Sequence, residues 1–402
     1  MGRFLSNQEL IEKATITTAA IASAGKLNPA QADRFLDYVV DESQMAGISR
    51  IVRFRNEQMD VDKITVADRV AVPKAEAADP GVRRGVTTSK ITLTPKEIMV
   101  PFEIGDLFKE ENIEGDQVEN HILQMMGRRL ANNLEELYWD GNTVGPAALE
   151  SDLYEGGSSS LYRKDTYLEL FDGWLKLAES GNVVDAENAP MSPNLLSRAL
   201  NAMPNKFKRN RANLRYFTSW NHEQDFRETI SSRASMRGDE ALAGGRNLMP
   251  FGVELMPVSL LNPEPPYAED SVANSDGTTA TALSFGPISD LVLTSQTLGA
   301  TPEAKYVENT DYTVDETNGT WTRLTAGSIG SGATVKATYS TAGRLLLTAP
   351  TNVLLALGRD ITIESDRNIY KTVTEYAITV KVYVQFEEIS SVVLVKNIAV
   401  PS

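Results

Sequence analysis

Cysteine is absent from this 402-residue sequence, and histidine occurs only twice. Without cysteine there is no disulfide framework, thiolate metal site or cysteine nucleophile, and the chain suits a reducing cytoplasm. The two histidines, His121 and His222, lie in no HExxH pattern and are too few for a three-histidine zinc site. The sequence therefore predicts no metal site and no cofactor.

Long apolar runs and the common catalytic motifs are also missing. No run of about eighteen residues is apolar, so we expect no membrane contact. The patterns GxSxG, GxxxxGKS/T and a strand-linked GxGxxG do not occur, and the glycine-rich GSIGSG near Gly327 lies between β-like runs, which indicates a turn. We expect no catalytic residues, no cofactor-binding residues and no enzymatic activity.

Basic residues are outnumbered, because 39 Lys and Arg face 54 Asp and Glu, for a net charge of −15. A dedicated nucleic-acid binder needs clustered cations to neutralise phosphates, so the balance argues against that class. The one basic cluster is KFKRNR, from Lys206 to Arg211. It is interpreted first as a solvated face or an intersubunit salt-bridge patch, and second as a contact with nucleic acid.

The C-terminal segment from Leu345 to Val400 has the clearest pattern in the chain. Two apolar β runs flank the charged connector GRDITIESDR, and Ala377–Phe386 then alternates strictly between apolar and polar residues. Ile378, Val380 and Val382 fall on one face of this run. A period of two over ten residues predicts a long strand with one buried face.

Residues 65–105 are predicted to form a long hairpin with the tip KAEAADPGVRRG. Pro73, Pro95 and Pro101 would interrupt a central strand, so the hairpin is placed at an edge or as a projecting arm. Such a two-stranded arm is marginal alone and needs a partner surface. Before it, Asn28-Pro29 begins an amphipathic helix, AQADRFLDYVVDES.

The most regular helix is predicted over residues 116–140. Asp116 and Glu119 form a capping pair, apolar residues recur every three or four positions, and Gly141 ends the pattern. At about 1.5 Å per residue the helix is roughly 37 Å long. Its Met and Leu stripe is interpreted as core.

Residues 263–344 differ in composition from the rest, with short β runs rich in Thr, Ala, Gly and Ser. Asn318-Gly319 between two β runs predicts a hairpin. Acidic residues such as Asp311, Asp315 and Glu316 fall at turn positions, where Asx-turn chemistry accounts for them. Linker-like ends at Leu261–Pro266 and Ser340–Gly343 predict an inserted β-sandwich that folds independently, projects outward and tolerates replacement by a short linker.

The order of these elements resembles tailed-bacteriophage major capsid proteins. The resemblance rests on the words GKLNPAQADRFLDYVVDES and MDVDKI, on the hairpin before a long helix, on FGVELMPV, and on RDITIE followed by VVLVKNI. It implies an α+β capsid fold with an inserted immunoglobulin-like β-sandwich domain. The predicted parts are an N-terminal arm (1–64), an extended hairpin loop (65–105), a peripheral domain (106–192) with a spine helix (116–140), an axial domain (193–262), the insertion (263–344) and the C-terminal part of both domains (345–402).

The resemblance also implies a function. Such a chain self-assembles into hexamers and pentamers of an icosahedral shell, works with portal and scaffold proteins and with cement or decoration proteins, and encloses double-stranded DNA without sequence-specific binding. It would be assembled in the host cytoplasm and located in the virion. The predicted intersubunit contacts are Lys74, Arg83, Arg84, Lys206, Lys208, Arg209, Arg211, Arg359, Asp360 and Arg367.

Covalent cross-linking is a known property of one capsid lineage, which joins a hairpin Lys to an Asn of another subunit. Lys74 and Lys90 lie in the corresponding region, but no matching acceptor motif occurs, so we expect non-covalent contacts.

Three alternatives stay open at this level. One is an encapsulin-like nanocompartment shell protein on the same fold, which the outward insertion disfavours. Another is a carbohydrate-binding or carbohydrate-processing β protein, suggested by the acidic β module; such an enzyme needs two carboxylates at a defined separation in a cleft. The third is an adhesin built of sandwich domains, against which the long helix counts.

Overall fold

The computed structural model describes residues 15–16, 47–54, 58–66, 71, 86–111, 118–144, 161–162, 167–231, 248–295 and 303–400. The α-helices in these ranges are α1 (Asp106–Glu111), α2 (Val118–Asp140), α3 (Trp174–Ala178), α4 (Pro193–Ala202) and α5 (Trp220–Ser231). Short 3-10 turns lie at Leu168–Leu170, Lys208–Asn213, Pro250–Gly252, Pro350–Asn352 and Ile389–Ser391.

Strands make up most of the described chain. The first ten are β1 (Thr15–Ile16), β2 (Arg50–Arg53), β3 (Met59–Val66), β4 (Val86–Leu93), β5 (Lys96–Gly105), β6 (Leu161–Tyr162), β7 (Asn182–Asp185), β8 (Arg215–Ser219), β9 (Glu254–Val258) and β10 (Pro266–Val272). The others are β11 (Thr281–Ala282), β12 (Ile288–Ser295), β13 (Glu303–Ala304), β14 (Tyr312–Asp315), β15 (Thr320–Arg323), β16 (Thr334–Thr341), β17 (Gly343–Thr348), β18 (Val353–Asn368), β19 (Val373–Phe386) and β20 (Val393–Ile398).

The largest sheet has the order β1-β5-β19-β18-β2, with the long antiparallel pair β18 and β19 at its centre. Along β19 every second residue is buried, from Tyr376 to Phe386, which confirms the predicted alternation. That buried face packs against α2 through Leu130, Leu134 and Leu137 in one apolar core. The period of two on the strand and the 3-4 spacing on the helix therefore bury the same interface.

The long helix begins at Val118 in the described chain, because its predicted first residues lie outside the described ranges. It ends at Asp140, and the amide of Gly141 donates to the carbonyl of Leu137 at 3.0 Å. A Cβ at Gly141 would overlap backbone oxygens of Phe171 and Leu137, so this tight turn requires glycine.

A second sheet, β7-β20-β17-β8-β9, carries α4 and α5 and has its own core. Ser192 caps α4 by accepting from the amide of Leu195, and Pro193 occupies the first helical turn. Leu195, Leu196 and Ala199 then face the sheet.

The insertion consists of two three-stranded sheets, β10-β16-β12 and β11-β15-β14, around a third core. The predicted turn at Asn318-Gly319 joins β14 to β15, with Asp315 opposite Thr320. Gly319 has a φ of +60°, and a Cβ there would overlap the backbone of Phe285. A further two-stranded pair joins β13 to β6.

The hairpin differs from its predicted extent. Its first strand begins at Met59 instead of Thr65, and its return strand ends at Leu93. Residues 96–105 instead belong to the largest sheet as β5, despite Pro101. In the described chain β1 reaches only Glu103 and Ile104, so at Pro101 this side of β5 lacks a hydrogen-bonding strand, and a missing N–H is tolerated there.

The predicted exit linker of the insertion is also wrong. β16 continues to Thr341, a single buried residue, Ala342, follows, and β17 begins at Gly343 in the second sheet. The amide of Thr341 donates to the carbonyl of Pro265, which joins the exit to the entry. The small Thr and Ala residues that suggest a linker are instead packed strand residues. The predicted N-terminal helix after Pro29 lies outside the described residues.

Candidate assembly surfaces

The hairpin β3–β4 is a two-stranded sheet, and no third strand joins it within the described ranges. Its exposed side carries Asp60, which accepts hydrogen bonds from Lys90 and Thr92, each at 2.8 Å. These bonds lower the pKa of Asp60 to about 2. Because the pair is exposed, it contributes little to stability. The contact gives Lys90 an ionic partner within its own hairpin.

Two consecutive glutamates after β19 form ion pairs with two different strands. Glu388 forms an ion pair with Lys63 of β3, and Glu387 forms one with Arg50 of β2 at 2.7 Å. Burial alone would raise the pKa of Glu388, but hydrogen bonds from Lys63 and Ser390 hold it below its ordinary value. The pair of Glu388 and Lys63 ties the hairpin to the segment between β19 and β20.

The far end of the ribbon β18–β19 presents apolar side chains to solvent. Tyr370 is fully exposed and Ile369 is 75% exposed at the turn between the strands. The ribbon itself is braced by Arg367, which contacts Asp106 at 2.8 Å, and by Lys371, which contacts Glu103 at 3.3 Å. A rigid ribbon that ends in exposed apolar residues is a feature of a binding surface.

Beside this end lies a groove of about 590 Å³ between β5, β18 and β19. Met99, Pro101 and Ala377 give it an apolar floor, and Glu364 and Asp366 are among its acidic lining residues. Together, the groove and the ribbon end form a mixed apolar and charged surface.

The basic run lies on a 3-10 turn ahead of β8 and is largely exposed. Lys206 stands over the ring of Phe207 at 4.8 Å, and Lys208 donates to the carbonyl of Asn201 at 3.2 Å. Arg209 and Arg211 are exposed. The cluster thus presents positive charge at one end of the second sheet.

The structure does not bring the predicted contact residues together in one place. Lys74, Arg83 and Arg84 lie outside the described residues. Arg359 and Asp360 belong to β18, where the register with β19 shifts on both sides of Arg359. Arg367 is placed near the ribbon end, bound to Asp106 of the same chain, and the basic run lies on the other sheet.

Sequence reasoning missed the ribbon end and the glutamate pair. The ribbon end had a usable signal in the sequence, because Asn368-Ile-Tyr-Lys-Thr372 interrupts two β runs. In the structure, these two runs pair at thirteen positions. Glu387 and Glu388 had none, because an ion pair that spans more than 300 residues leaves no local pattern.

Acidic side chains at turns of the insertion accept hydrogen bonds from nearby backbone amides. Asp311 accepts from the amides of Val307 and Ser328, and Asp315 accepts from Asn318. Asp276 likewise accepts from Thr278 and Thr279. The interpretation of Asp311 and Asp315 as turn residues is confirmed.

Across the described ranges, no group of three or more His, Cys, Asp or Glu side chains is arranged to hold a metal ion. In the same residues, no helix combines the length and apolarity that crossing a membrane requires.

The chain is 30% identical over 261 residues to YqbE of Bacillus subtilis (strain 168), a "putative prophage capsid protein"; the match covers 64% of this chain and 78% of YqbE. Its structure is similar to the satellite phage P4 procapsid, with a TM-score of 0.51, 11% identity and 98% of each chain covered. The holo-SrpI encapsulin complex of Synechococcus elongatus PCC 7942 gives a TM-score of 0.45 at 10% identity, covering 96% of this chain and 97% of the encapsulin. No protein-family model matches the chain.

Two of these findings answer different questions. The likeness to the P4 procapsid extends over the whole chain and shows the fold, which is α+β. The relation to YqbE spans more than two thirds of that protein and shows the family. The chain belongs to the family of phage major capsid proteins and has their fold.

Proposed function

We propose that this chain self-assembles into hexamers and pentamers that close into an icosahedral shell. The observation that carries the proposal is the pair of incomplete β surfaces on a capsid fold. Among the described residues, no third strand joins the hairpin β3–β4, and the ribbon β18–β19 ends in the exposed Ile369 and Tyr370. Both are unsuited to an isolated molecule and suited to contact with further copies of the chain.

The proposed cargo is double-stranded DNA, enclosed without sequence-specific contact. The net charge of −15 repels phosphate, and like charge keeps a wall from trapping the polymer. Any attraction would be local, at the exposed Lys206 and Arg209 of the basic run. The shell would be built in the host cytoplasm and become part of the virion.

The predicted charged residues remain proposals as intersubunit contacts. Because Arg367 already neutralises Asp106, its 65% exposed side chain would meet a neighbour as part of an ion pair instead of as a lone cation. Arg359, Asp360 and the hairpin residues Lys74, Arg83 and Arg84 are proposed to serve at the same kind of contact.

Portal, scaffold and decoration proteins are the further proposed partners. The insertion offers a surface for decoration, because Asp270, Asp276, Asp290 and Glu316 are exposed, whereas two of its basic residues, Arg323 and Lys336, are buried. The role proposed for the chain is structural, without catalysis.

Sedimentation velocity of the purified chain tests the proposal. Assembly predicts capsomers or shells that sediment far faster than a 44.0 kDa subunit, with nuclease-protected DNA in particles from producing cells. A stable monomer at all concentrations would contradict self-assembly. Shells that hold a protein cargo and no DNA would point to a compartment instead.

A further inference from the structure

The insertion meets the rest of the chain through two aromatic rings. Tyr267 of β10 and Phe285, ahead of β12, are both buried, and their ring centroids lie 4.7 Å apart in an edge-to-face arrangement. Tyr339 of β16 packs on Tyr267 at 5.8 Å. The insertion therefore presents an aromatic surface toward the body, which comprises the two larger sheets and their helices.

Three cations of the body stand against these rings, each from a different element. Lys176 of α3 lies 4.3 Å from the centroid of Tyr267. Arg344 of β17 lies 4.3 Å from Phe285 and 5.1 Å from Tyr267, and Lys396 of β20 lies 5.2 Å from Phe285. Cations over aromatic faces attract most strongly where water is excluded.

One of the three cations, Arg344, is buried. Arg344 is 4% exposed, and its Nε and Nη2 atoms have no hydrogen-bond partner among the residues that the structure describes. Burial lowers the pKa of Arg344, while the nearby Glu179 and Asp140 oppose that shift. Glu179 also binds Lys176 at 3.1 Å and accepts from the hydroxyl of Tyr267 at 2.9 Å. Glu179 thus holds Lys176 against the ring of Tyr267, and the charge of Arg344 is buried near Glu179 and Asp140.

Two side-chain hydrogen bonds to the backbone of the insertion connect the same region to the body. Asn142, just after α2, donates from Nδ2 to the carbonyl of Ala268 at 2.9 Å, in a buried contact. Lys396 donates to the carbonyl of Ser284 at 2.9 Å. With the strand passing directly from β16 into β17, these contacts leave no flexible tether at the exit.

We propose that Lys176, Arg344, Lys396, Tyr267 and Phe285 form a cation–aromatic joint that fixes the insertion in one orientation on the body. The insertion and the C-terminal end of α2 then move together as one rigid unit. A partner that binds the insertion acts on the body through this joint. The alternative is an insertion that swings freely on its connections, which is the default for a small interface between domains.

Distances between two spin labels test the joint directly, because the chain has no cysteine of its own. Asn194→Cys on α4 and Thr313→Cys on β14 give one exposed label site on each part. Labelled chain is diluted with unlabelled chain so that only distances within a molecule contribute. The joint predicts a single narrow distance distribution in the otherwise unchanged protein.

Variants of the joint must then broaden that distribution. The pair Arg344→Met and Lys396→Met removes two of the cations, and Phe285→Leu removes their shared ring while the site stays apolar. Lys206→Met is the matched control, since it removes an exposed cation over Phe207 outside the joint and should leave the distribution narrow.

Each outcome is decisive. Broad distributions in the joint variants, with circular dichroism unchanged, support the proposal. Narrow distributions in those variants, or a broad one in the unchanged protein, overturn it. If loss of Arg344 prevents folding, Phe285→Leu alone answers the question. Because the measurement follows one molecule, it is independent of whether shells form.

Discussion

At the residue scale, Gly343 occupies a position where the chain passes the ring of a buried histidine. A Cβ on Gly343 would overlap the imidazole of His222, which is fully buried and bound through Nδ1 to the hydroxyl of Ser219 at 2.6 Å. The ring has no room to withdraw into a packed interior. This glycine is required by close approach, since its φ is not among the positive values.

Gly343→Ala should therefore destabilise the subunit. Overpacking of this kind costs about 1–3 kcal/mol, and urea unfolding followed by circular dichroism would measure it. Gly127→Ala in α2 is the matched control, because open space surrounds that position and alanine favours a helix by roughly 0.5–1 kcal/mol. Equal stability of the Gly343 variant and the unchanged protein would contradict the packing described.

His222 also gives stability a pH dependence. Burial lowers the pKa of His222 to about 4, below the ordinary value of 6.5. Between these two pH values His222 is protonated in the unfolded chain but stays neutral in the folded chain. The stability that the neutral ring contributes is thus complete above about pH 6.5 and is lost as the pH falls toward 4.

His222→Gln should remove this dependence. The difference in unfolding free energy between the unchanged protein and the variant should shrink by roughly 3 kcal/mol from pH 7 to pH 4. Asp140, whose pKa burial raises to about 7, changes stability in the opposite sense but equally in both proteins, so the difference isolates His222. A difference that stays constant with pH would refute the assignment.

At the element scale, the ribbon β18–β19 should join subunits through its end. Tyr370→Asp should raise the protein concentration needed for assembly by about tenfold or more, because burying a large apolar side chain is worth about 1.5–3 kcal/mol. Light scattering would measure the threshold, with circular dichroism to confirm folding. Val272→Asp, an exposed apolar site on the insertion, is the control. An unchanged threshold for Tyr370→Asp would exclude the ribbon end from the contacts between subunits.

The hairpin β3–β4 should be needed for closure but not for folding. Deletion of Lys74–Gly85 leaves Lys63 and its ion pair with Glu388 in place, so the subunit should stay soluble and folded. The shortened hairpin would be too short to contact a neighbouring subunit. Electron microscopy should therefore show no closed shells. Normal shells from this deletion would show that the hairpin has no part in assembly.

Local patterns predicted the elements that bury one face. The alternation in β19 and the spacing in α2 are dictated by the core between them, so each is visible in sequence. Pro101 misled the prediction, because a proline suits an open stretch of a strand as well as a projecting arm. The turn at Asn318-Gly319 was predictable because only certain residues adopt its backbone angles.

Long-range contacts were not predictable from the same patterns. Arg344 follows a Thr, Ala and Gly stretch that suggests a linker, yet it is buried against Phe285, 59 positions earlier in the sequence. The pair Arg50 and Glu387 joins opposite ends of the chain. Arg367, which is predicted to contact another subunit, is 65% exposed, but its partner within the chain, Asp106, left no signal in the sequence.

At the scale of the whole molecule, the described residues form three separate hydrophobic cores. Two belong to the sheets of the capsid fold, and the third lies in the insertion. The ribbon β18–β19, which contributes to the first core, ends in the exposed Ile369 and Tyr370. The insertion, which holds the third core, exposes acidic turn residues such as Asp276 and Glu316. With the assembly proposed above, self-association and partner binding would use separate surfaces of one subunit.

Electron cryomicroscopy of particles from the purified chain would show directly whether the subunits close into a shell. We expect closed icosahedral shells made of five- and six-membered capsomers, with the ribbon end of one subunit against a neighbour and the insertion on the outer face. Discrete monomers, or open sheets and tubes in which the ribbon end and the hairpin touch no other subunit, would contradict it.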